Sequence, residues 1–286
     1  MLLSGEAGIG KSRILAALRE RIGDAPYVTM RYQCSPHHVN DAFYPIASHI
    51  WQAAGFVARS GLDTKDTAPF LAALLSIPFV GRYPPLEMAP SEQKERTIAA
   101  LIALFVGLTK DAPVLAELED AHWIDPTSLD VFGKLVDRLP GLRAMLVITF
   151  RPEFAAPWVG RAHVSLLPLN RFSRRQAISM IDQVTGGKAL PAEVLEQIVA
   201  KTDGVPLFVE ELTKTVLESG LLREEGGAYV LSSALTPLAI PSTLQDSLMA
   251  RLDRLAPLKE IAQIGAAIGR RRRAGTRAPP RRRLRP

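Results

Sequence analysis

The run Gly5-Glu6-Ala7-Gly8-Ile9-Gly10-Lys11-Ser12 fits the order G-x-x-x-x-G-K-[ST] without mismatch. Residues of these types at this spacing have a specific chemistry. Glycines let the backbone curl so that successive N–H groups point at one set of phosphate oxygens. A helix starting at Lys11 adds the positive end of its dipole. Lys11 then neutralises charge on the outer phosphates, and the Ser12 hydroxyl ligates Mg²⁺. The bland alternative is a glycine-rich strand-to-helix turn that binds nothing. An apolar strand before the loop and a helical pattern after it favour the phosphate reading. The expected ligand is ATP with Mg²⁺, held by Gly5, Glu6, Ala7, Gly8, Ile9, Gly10, Lys11, Ser12 and Arg13.

Hydrolysis needs acids beside such a loop. The segment V-L-A-E-L-E-D ends in Glu119 and Asp120 and is followed by A-H-W-I-D-P-T-S. Acids at the carboxyl end of a strand lie next to the ligand crevice of an open α/β sheet. By position, Glu119 joins Ser12 at the metal, and Asp120 orients or activates the attacking water. The alternative is a pair of solvated acids capping a strand. Glu117 departs from pattern, because a central parallel strand is nearly all apolar. Buried and unpaired, its carboxylate is costly or stays protonated; either the strand is less buried than expected or the site is impaired. A later strand ends T-F-R, which puts Thr149 and Arg151 at the same sheet edge. There Arg151 either reads the outer phosphate or is a surface arginine. Cys34, His37, His38 and His49 lack the regular spacing of a metal site and read as a loop and its flanks.

The elements that must position these residues follow from periodicity. Short apolar strands are expected at 1–4, 27–33, 113–118, 143–150 and 163–169, alternating with helical stretches at 11–22, around 44–54, and from a capped start at Ser91 to about Leu108. Residues 56–90 read as helical but broken by prolines. This alternation is the pattern of a parallel α/β sheet. From Ser173 onward only helices are expected, near 173–185, 191–202 and 206–219, with glycine joints at Gly186, Gly187, Gly204 and Gly220. A small hairpin follows at 222–231, then helices at 241–255 and 257–268.

Composition sets bounds. The chain has 286 residues, 47% hydrophobic and 22% charged, as in an ordinary soluble domain. No apolar run reaches the roughly 18–20 residues that span a bilayer, and MLLSGEAGIGKS does not read as a secretory signal. The single cysteine suits a reducing, cytoplasmic setting. The formal charge of +6 points towards nucleic acid only until it is located. Residues 270–286 hold nine arginines and no acid; without them 26 basic residues face 29 acidic ones. No specific nucleic-acid partner and no membrane partner is therefore expected.

Taken together, GEAGIGKSR, EDAHWIDPTS, ITFRPEF, KTDGVPLFVEELT and IPSTLQDSLMARLDRL resemble, in that order, the ATPase module of the STAND class within the AAA+ superfamily. The likeness covers about residues 2–269. It is nearest to the module that follows the catalytic domain of bacterial soluble-type adenylate and guanylate cyclases, with related modules in large LuxR-type regulators. The resemblance implies a P-loop NTPase fold, a three-layer parallel sheet with a C-terminal helical lid and a partial winged-helix-like segment. It implies domains at 1–170 (ATPase), 171–240 (lid), 241–269 (start of the winged-helix-like segment) and 270–286 (disordered tail). It also implies that Arg151 is the sensor arginine, that Pro206 is the G-x-P proline packing near the base, and that ATP and ADP states drive a switch engaging protein partners or effector domains. Three departures stand out: the adenine-recognition box expected upstream of the loop is absent, Glu117 replaces an aliphatic or aromatic residue, and likeness stops near Gly269. The chain is thus expected to be truncated and its tail a frameshift product. Slow Mg²⁺-dependent ATP hydrolysis as a signalling switch is the first expectation; the alternative is a non-catalytic nucleotide-binding or protein-interaction fragment of a larger cyclase or regulator.

Overall fold

The computed structural model describes residues 1–23, 25–52, 64–77 and 86–232. The helices expected at 241–255 and 257–268, the winged-helix-like segment and the arginine tail lie outside the described residues, as does the end of the expected lid at 233–240.

Five short apolar runs build one sheet: β1 (Leu2–Ser4), β2 (Val28–Gln33), β3 (Val114–Glu119), β4 (Ala144–Phe150) and β5 (Leu166–Pro168). All pairings are parallel, in the spatial order β2-β3-β4-β1-β5. Parallel pairing requires every connection to cross back over a face, so all five strands finish on the same edge. At that edge Ser4 stands opposite Phe150 and Gln33 opposite Glu119. β4 separates the glycine-loop strand β1 from the acidic strand β3. The end of β4 therefore lies between loop and acids. Sequence periodicity placed these strands well, although β5 is shorter than the expected 163–169.

Side-chain alternation along the strands supplies two apolar faces. On one, α1 (Lys11–Ile22) seats Leu15 against Leu3, Leu115 and Val147. Leu3 and Leu15 are almost fully buried, and each contributes about 1.5–3 kcal/mol to that seat. The opposite face, including Leu2, Met30, Ala116, Leu118 and Ile148, is covered by α2 (Tyr44–Gln52), α3 (Thr64–Leu74), α4 (Pro90–Asp111) and α5 (Pro126–Arg138). No helix among the described residues is long and apolar enough to cross a membrane.

Helix α4 begins one residue before the expected Ser91: Ala89 occupies the cap position without a side-chain cap and Pro90 opens the first turn. Proline's fixed φ suits that position, and its missing N–H would have had no partner there. Asp125 caps α5 by accepting from the N–H groups of Thr127 and Ser128. The same Asp125 oxygen accepts from Phe43 N–H at 3.1 Å, which ties the turn before α2 to the start of α5.

The chain divides into two compact units, Met1–Arg171 and Phe172–Pro286. In the second, α6 (Arg174–Val184), α7 (Ala192–Thr202) and α8 (Pro206–Glu218) enclose Ile181, Ile198, Leu212 and Val216. Ser173 and Gln176 form a capping box on α6. The hairpin β6 (Leu222–Glu225) and β7 (Ala228–Leu231) turns on Gly226 and Gly227, both at positive φ. Gly204 meets the chain closely: its carbonyl accepts from Phe172 N–H at 2.7 Å. A Cβ on Gly204 would stand 2.3 Å from the Phe172 carbonyl oxygen, and its φ is +68°.

Candidate phosphate-loop site

The glycine run folds back on itself directly after β1. Gly5 N–H donates to the Phe150 carbonyl at 3.2 Å. A Cβ at Gly5 would lie 2.7 Å from Ile9 Cγ2 and 3.1 Å from Leu169 Cβ, so no larger residue fits. Gly10, at φ 104°, occupies the cap position of α1 and no side chain caps the helix. The first-turn N–H groups of α1 thus have no intrahelical or side-chain acceptor. Lys11 is buried, and its Nζ donates to the carbonyls of Gly5 at 2.6 Å and Glu6 at 2.8 Å. Both partners are neutral, so neither contact cancels the ammonium charge. Burial pushes the Lys11 pKa below the usual lysine value; Asp120 opposes that shift and Arg151 adds to it.

Across the edge, the acidic strand end is already engaged. Glu119 Oε2 lies 3.4 Å from the Ser12 hydroxyl, a loose contact, while its Oε1 accepts from Arg31 at 3.0 Å. Asp120 has left-handed backbone angles, φ 57° and ψ 44°, at the head of a single 3₁₀ turn, Ala121–Trp123. Aspartate tolerates that region better than most residues. Its N–H donates to Thr149 Oγ1 at 3.1 Å, and its carboxylate accepts from Gln33 Nε2 at 2.9 Å. Position alone flagged Thr149; Gln33 was missed. The only available signal was that Gln33 ends a strand destined for the same edge.

Glu117 corrects the sequence reading. Its strand is as buried as expected, with Glu117 at 0% exposure. Its carboxylate is nevertheless paired: Oε2 lies 2.6 Å from Arg19 Nη1 and 3.2 Å from Arg31 Nε. Arg31 stands opposite Glu117 in the β2–β3 register, and Arg19 reaches down from α1. β2 is an edge strand, with Met30 and Tyr32 in the core and Arg31 half-exposed. Beside the apolar seat of Leu15, the face beneath α1 therefore carries a linked run of charge, Arg19, Glu117, Arg31 and Glu119.

Arg151 follows β4 and packs its guanidinium over the Trp123 ring, 5.2 Å from the centroid. His122 lies at 4.3 Å, centroid to centroid, from that ring. Burial lowers the His122 pKa, with Asp120 opposing and Arg151 reinforcing the shift. Glu6 contributes its carbonyl to Lys11 and its carboxylate to Arg171, 2.7 Å away. Arg13 pairs with Glu20 further down α1. Gly5 to Ser12, Glu119, Asp120, Thr149 and Arg151 thus share one sheet edge of the first unit. Pro206 opens α8 of the second unit, where it is buried.

Residues 1–148 match the family described as the AAA ATPase domain. The chain belongs to that family. AAA ATPase domains bind nucleotide and hydrolyse it. An uncharacterized protein of Rhizobium meliloti (strain 1021) is 26% identical over 94% of the chain. The chain spans 27% of that relative's length. Among solved structures, Cdc6p from Pyrobaculum aerophilum is similar at TM-score 0.43 and 18% identity, over 77% of this chain and 56% of that one. Drosophila ORC bound to DNA is similar at TM-score 0.40 and 14% identity, over 77% and 55%. The FIGL-1 AAA domain in complex with ADP is similar at 0.38 and 13%, over 77% and 60%.

Proposed function

We propose that this AAA ATPase domain binds ATP with Mg²⁺ and hydrolyses it slowly, as a nucleotide-dependent switch within a larger regulator. One observation carries the reading: the buried Lys11 ammonium, contacted by two neutral carbonyls, sits at an uncapped helix N-terminus facing two acids. A polyphosphate fits that arrangement because it supplies the missing acceptors and the missing negative charge.

The loop N–H groups and Lys11 would hold the phosphate chain, with Arg13 at its margin. Ser12 and Glu119 would hold Mg²⁺, which when bound neutralises charge on the outer phosphates. A hydroxyl and a carboxylate suit that ion, which keeps most of its water shell. Asp120, fixed through Gln33 and Thr149, would accept the proton of the attacking water. Arg151 would sense the outer phosphate from the neighbouring strand end. Pro206 would pack near the base, as the STAND-class resemblance implies, and the helical unit would relay the nucleotide state to protein partners.

A second reading is a non-catalytic nucleotide-binding module. It is favoured by the engagement of both acids in side-chain contacts, Glu119 with Arg31 and Asp120 with Gln33. Binding of a fluorescent ATP analogue, paired with measured turnover, separates the two. The first reading expects saturable Mg²⁺-dependent binding that Lys11→Ala removes without loss of the cooperative melt. It also expects turnover that Asp120→Asn lowers at least about a hundredfold with binding retained. Binding without turnover in the wild type selects the second reading. A folded wild type that binds no nucleotide overturns both.

A further inference from the structure

We propose that Arg31 is a positioning residue for the metal-binding acid Glu119, held in place by the buried Glu117. The proposal rests on the reading of Ser12 and Glu119 as the Mg²⁺ pair.

The Arg31 guanidinium spans two acids with two nitrogens of one edge. Nε lies 3.2 Å from Glu117 Oε2, and Nη2 lies 3.0 Å from Glu119 Oε1. Glu117 and Glu119 are two residues apart on β3, so strand alternation puts both on the α1 face. Arg31 is directly opposite Glu117 in register and reaches both. A planar fork can make these contacts together and fixes the orientation of what it holds. With Oε1 taken by Arg31, the other Glu119 oxygen is the one turned to Ser12, at 3.4 Å. The fork is itself anchored: Glu117 has no solvent exposure and accepts a second, shorter contact from Arg19 at 2.6 Å. The sequence anomaly in β3 thereby gains a role, because an aliphatic residue at 117 would leave Arg31 with one partner.

Two effects of Arg31 on a bound cation oppose one another. Its positive charge repels the ion, while its hydrogen bond orients the ligand. The guanidinium side chain is 49% exposed, so solvent and salt screen the repulsion, and orientation dominates. Outer partners of metal-ligating carboxylates commonly set metal affinity by about 10–100-fold.

The test uses Mn²⁺ as probe, titrated by electron paramagnetic resonance into the full chain saturated with ADP. ADP binding in EDTA and thermal melting are measured on the same samples. Arg31→Gln is expected to raise the Mn²⁺ dissociation constant about tenfold while ADP binding in EDTA is unchanged. Arg31→Lys, a point charge able to serve one acid well, is expected to fall between wild type and Arg31→Gln. Glu117→Gln should shift the constant in the same direction. A folded Arg31→Gln with the wild-type Mn²⁺ constant, or a lower melting point alone, overturns the proposal and leaves the nucleotide site standing. If Arg31→Gln fails to fold, a wild-type constant in Arg31→Lys has the same force. A wild type that binds no ADP instead overturns the function proposed above.

Discussion

Arg19 Nη1 stands 2.6 Å from Oε2 of Glu117, a carboxylate with no solvent exposure. The contact joins the third turn of α1 to the strand that ends in the site acids, below the helix end that presents Lys11 and Ser12. It also explains why a glutamate is tolerated in a buried parallel strand: a charge removed from water needs a partner of opposite sign in contact.

Breaking that pair should cost more than replacing it. Arg19→Leu leaves Glu117 leaning on the half-exposed Arg31 alone and should destabilise by about 3 kcal/mol. The double substitution Arg19→Leu with Glu117→Leu should recover most of the loss, since apolar packing of similar volume often matches a buried ion pair. Urea melts of both variants and the wild type measure this. A double variant weaker than Arg19→Leu would count against the account.

Gln33 acts on Asp120 from the neighbouring strand end, through the 2.9 Å contact to Oδ2. With Asp120 in the proposed role, a hydrogen bond to a charged group is worth about 1.5 kcal/mol, so Gln33→Leu should lower kcat about tenfold. ATP affinity should stay near wild type, because Gln33 has no part in the phosphate cradle. An effect confined to KM would show that Gln33 serves binding instead.

Gly204→Ala should destabilise the helical unit by about 2 kcal/mol or more, because it combines a left-handed backbone position with a backbone clash. Gly186→Ala is the control: its φ is +69° but a Cβ there meets nothing within 4 Å. The control should lose only about 1 kcal/mol. Hydrogen exchange over α6, α7 and α8 reads both; equal losses would remove the Phe172 contact from the explanation.

Acid should weaken the first unit through His49. Burial pushes its pKa from 6.5 down to about 4, against an opposing hydrogen bond with the Arg31 backbone. The folded state keeps His49 neutral, so the unfolded chain takes up its proton first as pH falls. The stability involved is complete above about pH 6.5 and declines towards pH 4, by roughly 3 kcal/mol in total. In a pH series of urea melts, His49→Gln should lose that part of the slope. A slope identical to wild type would falsify the assignment.

Much of this architecture was legible locally. The loop, the helix behind it, all five strands, the last shorter than expected, and the glycine joints at positive φ are encoded by short-range pattern: periodicity, glycine placement and strand-ending acids. The gathering of Glu119, Asp120, Thr149 and Arg151 at one sheet edge was legible for the same reason, since a parallel strand must deliver its carboxyl end there. Boundaries shifted where local signals competed, as at Pro90 and Ser91.

The pairing of those elements was settled only by tertiary structure. Arg19 with Glu117, Arg31 with Glu119, and Gln33 with Asp120 join residues 98, 88 and 87 positions apart. The last two pairs depend on β2 lying beside β3 in register and the first on α1 packing over β3, and no local propensity states strand order, register or helix placement. By local pattern Glu117 is out of place in a buried strand; only tertiary packing, which brings Arg19 of α1 and Arg31 of β2 against it, pairs its charge. Short-range sterics and hydrophobic period act within a turn or a strand, whereas the partner of a buried charge is decided when separate elements close over it.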